Sequence, residues 1–426
     1  MSVSVRASIL VTGTEVLTGR ITDRNGPWVS EHLEELGVDV AHIITVGDRP
    51  EDLEAALRFL AAEGMDLIVT SGGLGPTADD LTAEVVGRFA GREMVLDQGM
   101  EEKIAAILRS FARRLRFDPE ALKEANRKQA MIPEGATTID PAGTAPGLVV
   151  PADGTVVIVL PGPPRELHAM WPQALETDEM RAVLERAGSY ETATLRLFGI
   201  PESEIAKTLR EIETETDLSP LEITTCLRQT ELVVDIRHRP EDGGLSDRVQ
   251  EAITERHGRF VFSANGESID DQVAELLAGT RIALAESSTG GLLAARLTER
   301  PGASAHVAGG VVAYSDKAKA ELLGVPGELI GEHGGVSPQV AEAMADGAMR
   351  SFSAGLACAI TGIAGPDGGS EEKPVGYVCF CIKDAGGRKI ARDVVLPGSR
   401  ADVRDRSVAV AMHMLRRLLR GEEFPL

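Results

Sequence analysis

The chain is short of several things, and each shortage narrows what it can be. Aromatic residues make up only 4% of its 426 residues. Ala, Val, Leu and Ile must therefore fill the cores, and hydrophobic residues in total reach 43%. Its four cysteines, Cys226, Cys358, Cys379 and Cys381, include no C-x-x-C pair. That spacing fits reduced, partly buried thiols in a cytoplasmic protein. Cys379 and Cys381 flank Phe380 in a strand-like run and so share one face. No window approaches about 18 uninterrupted apolar residues, and Met1-Ser-Val-Ser-Val-Arg6 has no signal-peptide core, so no membrane partner is expected. Basic residues are outnumbered, 44 against 66 acidic, for a net charge of -22. A broad nucleic-acid surface should be basic, so nucleic acid is not an expected partner. The acidity serves solubility, and local binding of small anions stays open.

What is present points to an α/β enzyme. At roughly 100–200 residues per domain the length suggests two to four domains. Glycine is abundant, at 45 residues, and gathers in loops. Strand-like runs at 8–12, 38–46, 66–70 and 155–160 alternate with helix-like runs at 28–36, 51–62 and 81–89. Such alternation predicts a doubly wound parallel sheet, with ligands at the carboxyl ends of its strands. Ser71-Gly-Gly-Leu-Gly-Pro-Thr77 and Pro161-Gly-Pro-Pro-Arg-Glu166 both follow strands. From about 190 to 262 the pattern reads as a small α+β module, with Pro240-Glu-Asp-Gly-Gly244 as a loop inside it. From Ile269 an α/β pattern returns, with strands at 281–285, 307–314, 355–360, 375–383 and 389–396. The domains are accordingly placed at 1–175, 176–262 and 263–426.

Two clusters carry chemistry. Near the C-terminus, Ser287 lies at a strand-to-helix turn, where backbone N–H groups lack intrahelical partners. A serine that attacks an amide needs a base. His306 and His333 are isolated, whereas Lys319 follows an apolar strand and serves if burial lowers its pKa. Lys317 points elsewhere on a helix. Tyr314 could relay a proton or orient the serine. Thr361 and the glycines after it offer donors to an oxyanion or a phosphate. Taken singly, each has a plainer reading. Ser287 is an N-cap, Lys319 a solvated surface charge, and Thr361-Gly-Ile-Ala-Gly365 a strand-ending turn. Near the N-terminus, Gly72, Gly73 and Gly75 let the backbone approach a phosphate. Asp79 and Asp80 suit a hard divalent cation, Thr77 and Thr82 add hydroxyls, and the 161–166 loop closes the same pocket. The alternative for the acidic pair is dipole compensation in a first helical turn.

The motifs A-E-S-x-T-G-G at 285–291, A-Y-S-x-x-A-K at 313–319, H-G-G-V-S at 333–337 and T-G-I-A-G-P-D-G-G-S-E-E-K-P-V-G at 361–376 resemble the C-terminal domain of the CinA family. The resemblance implies a nicotinamide-nucleotide amidohydrolase, with Ser287 as nucleophile, Lys319 as base, Tyr314 and Thr361 in support and Arg400 as the cation of the site. Gly290, Gly291, Gly362 and Gly365 would contact substrate, and no cofactor is implied there. Ser288 stands where the family usually has cysteine. Gly13-Thr-Glu-Val-Leu-Thr-Gly19, Asp23-Arg-Asn25 and 70–82 resemble the molybdopterin-binding MoaB/MogA-like fold. In the CinA family this part implies metal-dependent hydrolysis of ADP-ribose. Gly72, Gly73, Gly75, Thr77, Asn25 and Glu166 would bind substrate, and Asp79 and Asp80 would hold Mg, Mn or Co. The alternative is a molybdopterin- or nucleotide-binding accessory protein without N-terminal catalysis. The middle module has a KH-like element order but no G-x-x-G clamp, which suggests a structural role. The expected partners are nicotinamide mononucleotide, ADP-ribose and a second copy of the chain, in a homodimer through the N-terminal or middle domain.

Overall fold

The computed structural model describes residues 5–112, 119–228 and 230–424. Two compact units divide it, residues 1–190 and 191–426.

The first unit opens with β1 (Arg6–Thr12), α1 (Thr14–Leu17), α2 (Asn25–Glu35), β2 (Asp39–Val46), α3 (Pro50–Ala62), β3 (Leu67–Ser71) and α4 (Thr82–Phe89). It continues with β4 (Met94–Leu96), α5 (Gln98–Ala112), α6 (Pro119–Gln129), β5 (Met131–Pro133), β6 (Thr137–Ile139), β7 (Gly147–Ala152) and β8 (Thr155–Leu160). It closes with α7 (Pro164–Leu175) and α8 (Asp178–Leu184). The main sheet runs β2-β1-β3-β8-β7-β6. Strands β2, β1, β3 and β8 are parallel neighbours, and β7 and β6 add antiparallel strands at one edge. Alternate side chains of β1 separate two cores. Ala7, Ile9 and Val11 face α2, α7 and α8, and Leu10 faces α3 and α4. This is the doubly wound arrangement expected. The chain runs from β1 to β2 on one side and returns to β3 on the other, which opens a crevice at their carboxyl ends. The boundary expected at 175 moves, because Met180 and Val183 of α8 are buried in the α7 core.

The second unit begins with β9 (Glu191–Phe198), α9 (Glu202–Glu213), β10 (Glu222–Arg228), β11 (Glu231–His238), α10 (Gly243–His257) and β12 (Val261–Ser263). These strands form an antiparallel sheet in the order β10-β11-β9-β12. That order, with β-α-β-β-α-β succession, is the ferredoxin-like split arrangement of a small α+β module. The loop expected at 240–244 is a 3₁₀ turn, Pro240–Asp242, running straight into α10.

The chain continues with α11 (Ile269–Leu276), β13 (Ile282–Glu286), α12 (Leu292–Thr298), β14 (Val307–Val312), α13 (Asp316–Leu323) and α14 (Gly327–His333). Then come α15 (Pro338–Phe352), β15 (Leu356–Gly362), β16 (Tyr377–Asp384), β17 (Lys389–Val395) and α16 (Arg400–Arg420). The sheet order is β14-β13-β15-β16-β17, with β14, β13 and β15 parallel. Helices α11 and α16 cover one face, and α13 and α15 the other. Cys358, Cys379 and Cys381 are buried, and burial pushes Cys379 up to about 11 and Cys381 to about 12. Both stay thiols at neutral pH.

No compact break separates 262 from 263. His413 of α16 is buried against the middle module, stacked on Phe198 at 3.8 Å and edge-on to Phe262 at 4.6 Å. Its Nε2 lies 3.0 Å from Glu231 Oε1. Arg416 adds bonds to Gln272 Oε1 and Phe262 O. Burial pushes the His413 pKa down, helped by Arg416 and Arg296 and opposed by Glu231. A depressed histidine is neutral when folded and takes up its proton on unfolding. Stability from this group is therefore complete above the ordinary value of 6.5 and falls as pH drops below it. The slope is at most about 1.4 kcal/mol per pH unit. Urea unfolding between pH 7.5 and 5 is expected to show this loss in the wild type. His413→Gln, which keeps a donor to Glu231 but cannot titrate, is expected to lack that component; an equal loss in both proteins would count against it.

Candidate functional site

In the C-terminal domain the site is built at the carboxyl ends of three parallel strands. Glu286 pairs with Val312 of β14 and with Ile360 of β15. Ser287 N–H donates to Ile360 O at 2.9 Å, which sets Ser287 level with Thr361. The helix after it starts later than expected. Gly290 and Gly291 take positive φ, 62° and 98°, and α12 begins only at Leu292. The amides at the start of α12 are not left for Ser287. The carboxylate of Glu286, 1% exposed, accepts from Gly291 N at 3.0 Å, Leu293 N at 3.1 Å and Ala294 N at 2.8 Å. Ser287 is therefore not the N-cap, and the plainer reading of it fails. A buried anion preceding the serine holds the turn in place of a capping hydroxyl.

The two adjacent serines differ. Ser288 Oγ is fully buried, has no partner among the described residues, and lies 3.0 Å from where a Cβ on Gly362 would stand. No hydrogen bond among the described residues engages Ser287 Oγ.

Lys319 is 3% exposed, so the solvated-charge reading fails as well. Its Nζ donates to Asp316 Oδ1 at 2.9 Å, one turn earlier on α13. No hydrogen bond joins it to Ser287 in this structure; catalytic hydrogen bonds are often long before substrate binds. Gly335 forms the wall behind the ion pair. A Cβ there would stand 1.9 Å from Asp316 Oδ1 and 2.8 Å from Lys319 Nζ, so a larger residue would displace the ends of both side chains. Gly335 O accepts from Thr361 Oγ1 at 2.8 Å. The Thr361 hydroxyl, expected to face an oxyanion, is thus engaged in joining β15 to the 333–337 loop. Arg400, the first residue of α16, donates to Tyr314 Oη at 2.6 Å and to Gly365 O at 2.7 Å. It ties the exposed Tyr314 to the 361–376 loop. Arg404, one turn on, donates to Thr289 O at 3.0 Å.

Sequence reasoning missed Glu286, Asp316, Gly335 and Arg404. Glu286 and Gly335 sit inside quoted motifs, and Arg404 is spaced i+4 from Arg400, but no local pattern discloses their partners.

In the N-terminal domain a cavity of about 760 Å³ opens at the ends of β1, β3 and β8. It is lined by Gly72, Gly73, Gly75, Asn25, Asp79, Asp80 and Glu166, among others. Asn25 is buried, donating from Nδ2 to Ser71 Oγ and Gly162 O at 2.7 Å each. This bond pins the 161–166 loop beside the β3 loop, as expected of a shared pocket. The missing side chains at Gly72, Gly73 and Gly75 make room for Thr12, Thr82 and Asp80. Thr77 Oγ1 lies 2.5 Å from both Asp79 Oδ1 and Asp80 Oδ2, which share its one hydrogen, and the Thr77 contact holds the Asp79 carboxyl below its usual range. Burial raises the half-buried Glu166. Among the described residues no three Asp, Glu, His or Cys side chains gather into a complete metal cage. The exposed Asp79 and the partly buried Asp80 do fit the partial ligand set of Mg²⁺, which takes water and substrate phosphate for the rest.

A family model described as the CinA C-terminal domain matches residues 266–419, and one described as a probable molybdopterin binding domain matches 8–179. A CinA-like protein of Mycobacterium sp. (strain JLS) is 59% identical over 418 residues, 98% of this chain and 99% of that protein. A CinA-like protein of Mycobacterium sp. (strain MCS) matches to the same extent. The chain belongs to the CinA family. Its N-terminal domain is MoaB/MogA-like and its last domain is a CinA C-terminal domain. A solved competence/damage inducible protein from Agrobacterium tumefaciens is 40% identical, covering 35% of this chain and 94% of its own, with a TM-score of 0.34. Among the described residues no helix is long and apolar enough to cross a membrane.

Glu286→Ala would leave those backbone donors without an acceptor, at about 1–3 kcal/mol each. It is expected to lower the unfolding free energy by more than about 3 kcal/mol. Ser288→Ala removes a hydroxyl without a partner among the described residues, and is expected to change stability by less than about 1 kcal/mol or to raise it. Urea titration distinguishes them; equal losses in the two variants would contradict the geometry.

Proposed function

We propose that the C-terminal domain hydrolyses the carboxamide of nicotinamide mononucleotide to nicotinic acid mononucleotide and ammonia. The observation that carries the reading is a buried lysine at the carboxyl edge of the sheet. It is linked through Gly335 and Thr361 to the strand end level with Ser287. Ser287 Oγ attacks the amide carbon and its proton passes to Lys319 Nζ, a role the lysine fills in its free-amine form. The C–N bond then breaks as Lys319 returns the proton to the leaving nitrogen, releasing ammonia. Water attacks the ester, Lys319 takes its proton, and Ser287 regains its hydrogen. Tyr314 and Arg400 stand at the rim, where the cation suits the substrate phosphate. Ser288, buried against Gly362, backs the turn and does not attack. The product suits recycling of nucleotides left by NAD-consuming reactions.

For the N-terminal domain we propose metal-dependent hydrolysis of the ADP-ribose pyrophosphate. Glu15, Asp23, Asp48, Asp79, Asp80 and Glu166 line its cavity against one cation, Arg24. Such a surface repels a pyrophosphate unless bound cations offset the charge. Asp79 and Asp80 would hold that cation, which would neutralise phosphate charge when bound. Glu166 and Asn25 also line the cavity. The same domain type also suits molybdopterin binding without catalysis, the second reading.

Ammonia release from nicotinamide mononucleotide tests the first proposal. Ser287→Ala and Lys319→Met are each expected to lose at least about 1,000-fold in kcat/KM, and Ser288→Ala to stay within about threefold. Full activity in Ser287→Ala would overturn it. AMP release from ADP-ribose with Mg, Mn or Co tests the second. Asp79→Asn/Asp80→Asn is expected to abolish it, and no release by the wild type with any of the three metals would leave the binding-only reading.

A further inference from the structure

One charged side chain inside the 361–376 motif has no part in the chemistry above. Lys373 is half-buried, and its Nζ donates to two backbone carbonyls of the 333–337 loop, His333 O at 2.7 Å and Val336 O at 2.8 Å. It is held in turn by its own backbone. Ser370 N donates to Lys373 O at 2.8 Å, and Lys373 N donates to Ser370 Oγ at 3.0 Å. The other carbonyls of the loop also have partners. Gly334 O accepts from Ser337 Oγ at 3.2 Å, and Gly335 O from Thr361 Oγ1 at 2.8 Å. The loop is thus pinned by Lys373 on one side and by Thr361 on the other. Between the pins lies Gly335, against which the ends of the Lys319–Asp316 pair pack so closely that a Cβ would push them aside.

We propose that Lys373 is a positioning residue, a strap that presses the Gly334-Gly335 segment against Lys319 and so fixes where its amine stands relative to Ser287. The catalytic part of this claim rests on the amidohydrolase reading; the mechanical part does not. Two charge-assisted bonds from a single ammonium fix two points of a loop that contains adjacent glycines. Methionine has no donor, and the shorter, uncharged glutamine amide reproduces neither charge-assisted bond. Arginine, with its several donors, can span two carbonyls and restore the strap. Misplacing a catalytic group by about 1 Å costs on the order of 100-fold in rate.

The test uses the full chain and three variants, Lys373→Met, Lys373→Gln and Lys373→Arg. The first measurement is residue-resolved acylation by acetic anhydride, read by peptide mass spectrometry, and needs no substrate. In the wild type Lys319, with 4% of its side chain exposed, is expected to react far more slowly than Lys317, with 80% exposed. Lys373→Met and Lys373→Gln are expected to raise Lys319 labelling about tenfold with Lys317 unchanged, and Lys373→Arg to restore protection. The second measurement is turnover of nicotinamide mononucleotide. Lys373→Met is expected to lose on the order of 100-fold in kcat with KM within about threefold, and Lys373→Arg to recover most of it. Unchanged Lys319 labelling in folded Lys373→Met or Lys373→Gln overturns the strap. Increased labelling with unchanged kcat overturns the catalytic part. A wild type that is inactive but shows the labelling pattern overturns the amidohydrolase reading and leaves the strap standing.

Discussion

The C-terminal site depends on one buried anion. Glu286 ends β13, the middle of the three parallel strands, and takes three backbone amides at the start of α12. An unpaired buried carboxylate is costly, and charge-assisted bonds to backbone N–H are among the strongest ways to offset that cost. Its presence forces the chain through Ser287, Ser288 and Thr289 in a tight turn with two left-handed glycines before the helix can begin. It also occupies the helix terminus that would otherwise attract a hydroxyl or a substrate anion. Ser287 is thereby left at the strand end with its hydroxyl unengaged.

Around that turn the rest of the site is assembled by loops that hold one another. Thr361 and Lys373 come from opposite ends of one motif and both bond the 333–337 loop. Arg400 ties Tyr314 to Gly365. Three of the motifs follow the parallel strands β13, β14 and β15, whose carboxyl ends lie together, and the 333–337 loop joins them from between α14 and α15. The N-terminal domain follows the same logic with different chemistry. Its loops after β1, β3 and β8 meet at a switch point and enclose an acidic cavity.

Much of the fold was legible because parallel strands are short apolar runs and the helices between them are periodic. The pieces that escaped were those with weak local signal. Strands β4, β5 and β6 are three residues each, and α8 is a short helix whose two buried residues decide its membership. At the site, the motifs and the family resemblance they carry pointed to Ser287, Lys319, Tyr314, Thr361 and Arg400, and the last four are drawn into two linked groups around Gly335 and Gly365. What the motifs could not disclose was the wiring. The Ser287 hydroxyl looked like a cap because the two glycines that delay the helix leave no trace in periodicity. Thr361 looked like an open donor because its acceptor lies 26 residues away in sequence. The Asp316 partner of Lys319 is spaced i,i+3 on α13 and was within reach of helical geometry.

The central claim is covalent attack by one particular oxygen. The most direct measurement is peptide mass spectrometry of protein quenched with acid during steady turnover of nicotinamide mononucleotide. The account predicts a nicotinic acid mononucleotide ester on the peptide containing Ser287, located to that residue by fragmentation and absent from Ser287→Ala. An ester on Ser288, or steady ammonia release with an unmodified peptide under the same quench, would contradict it.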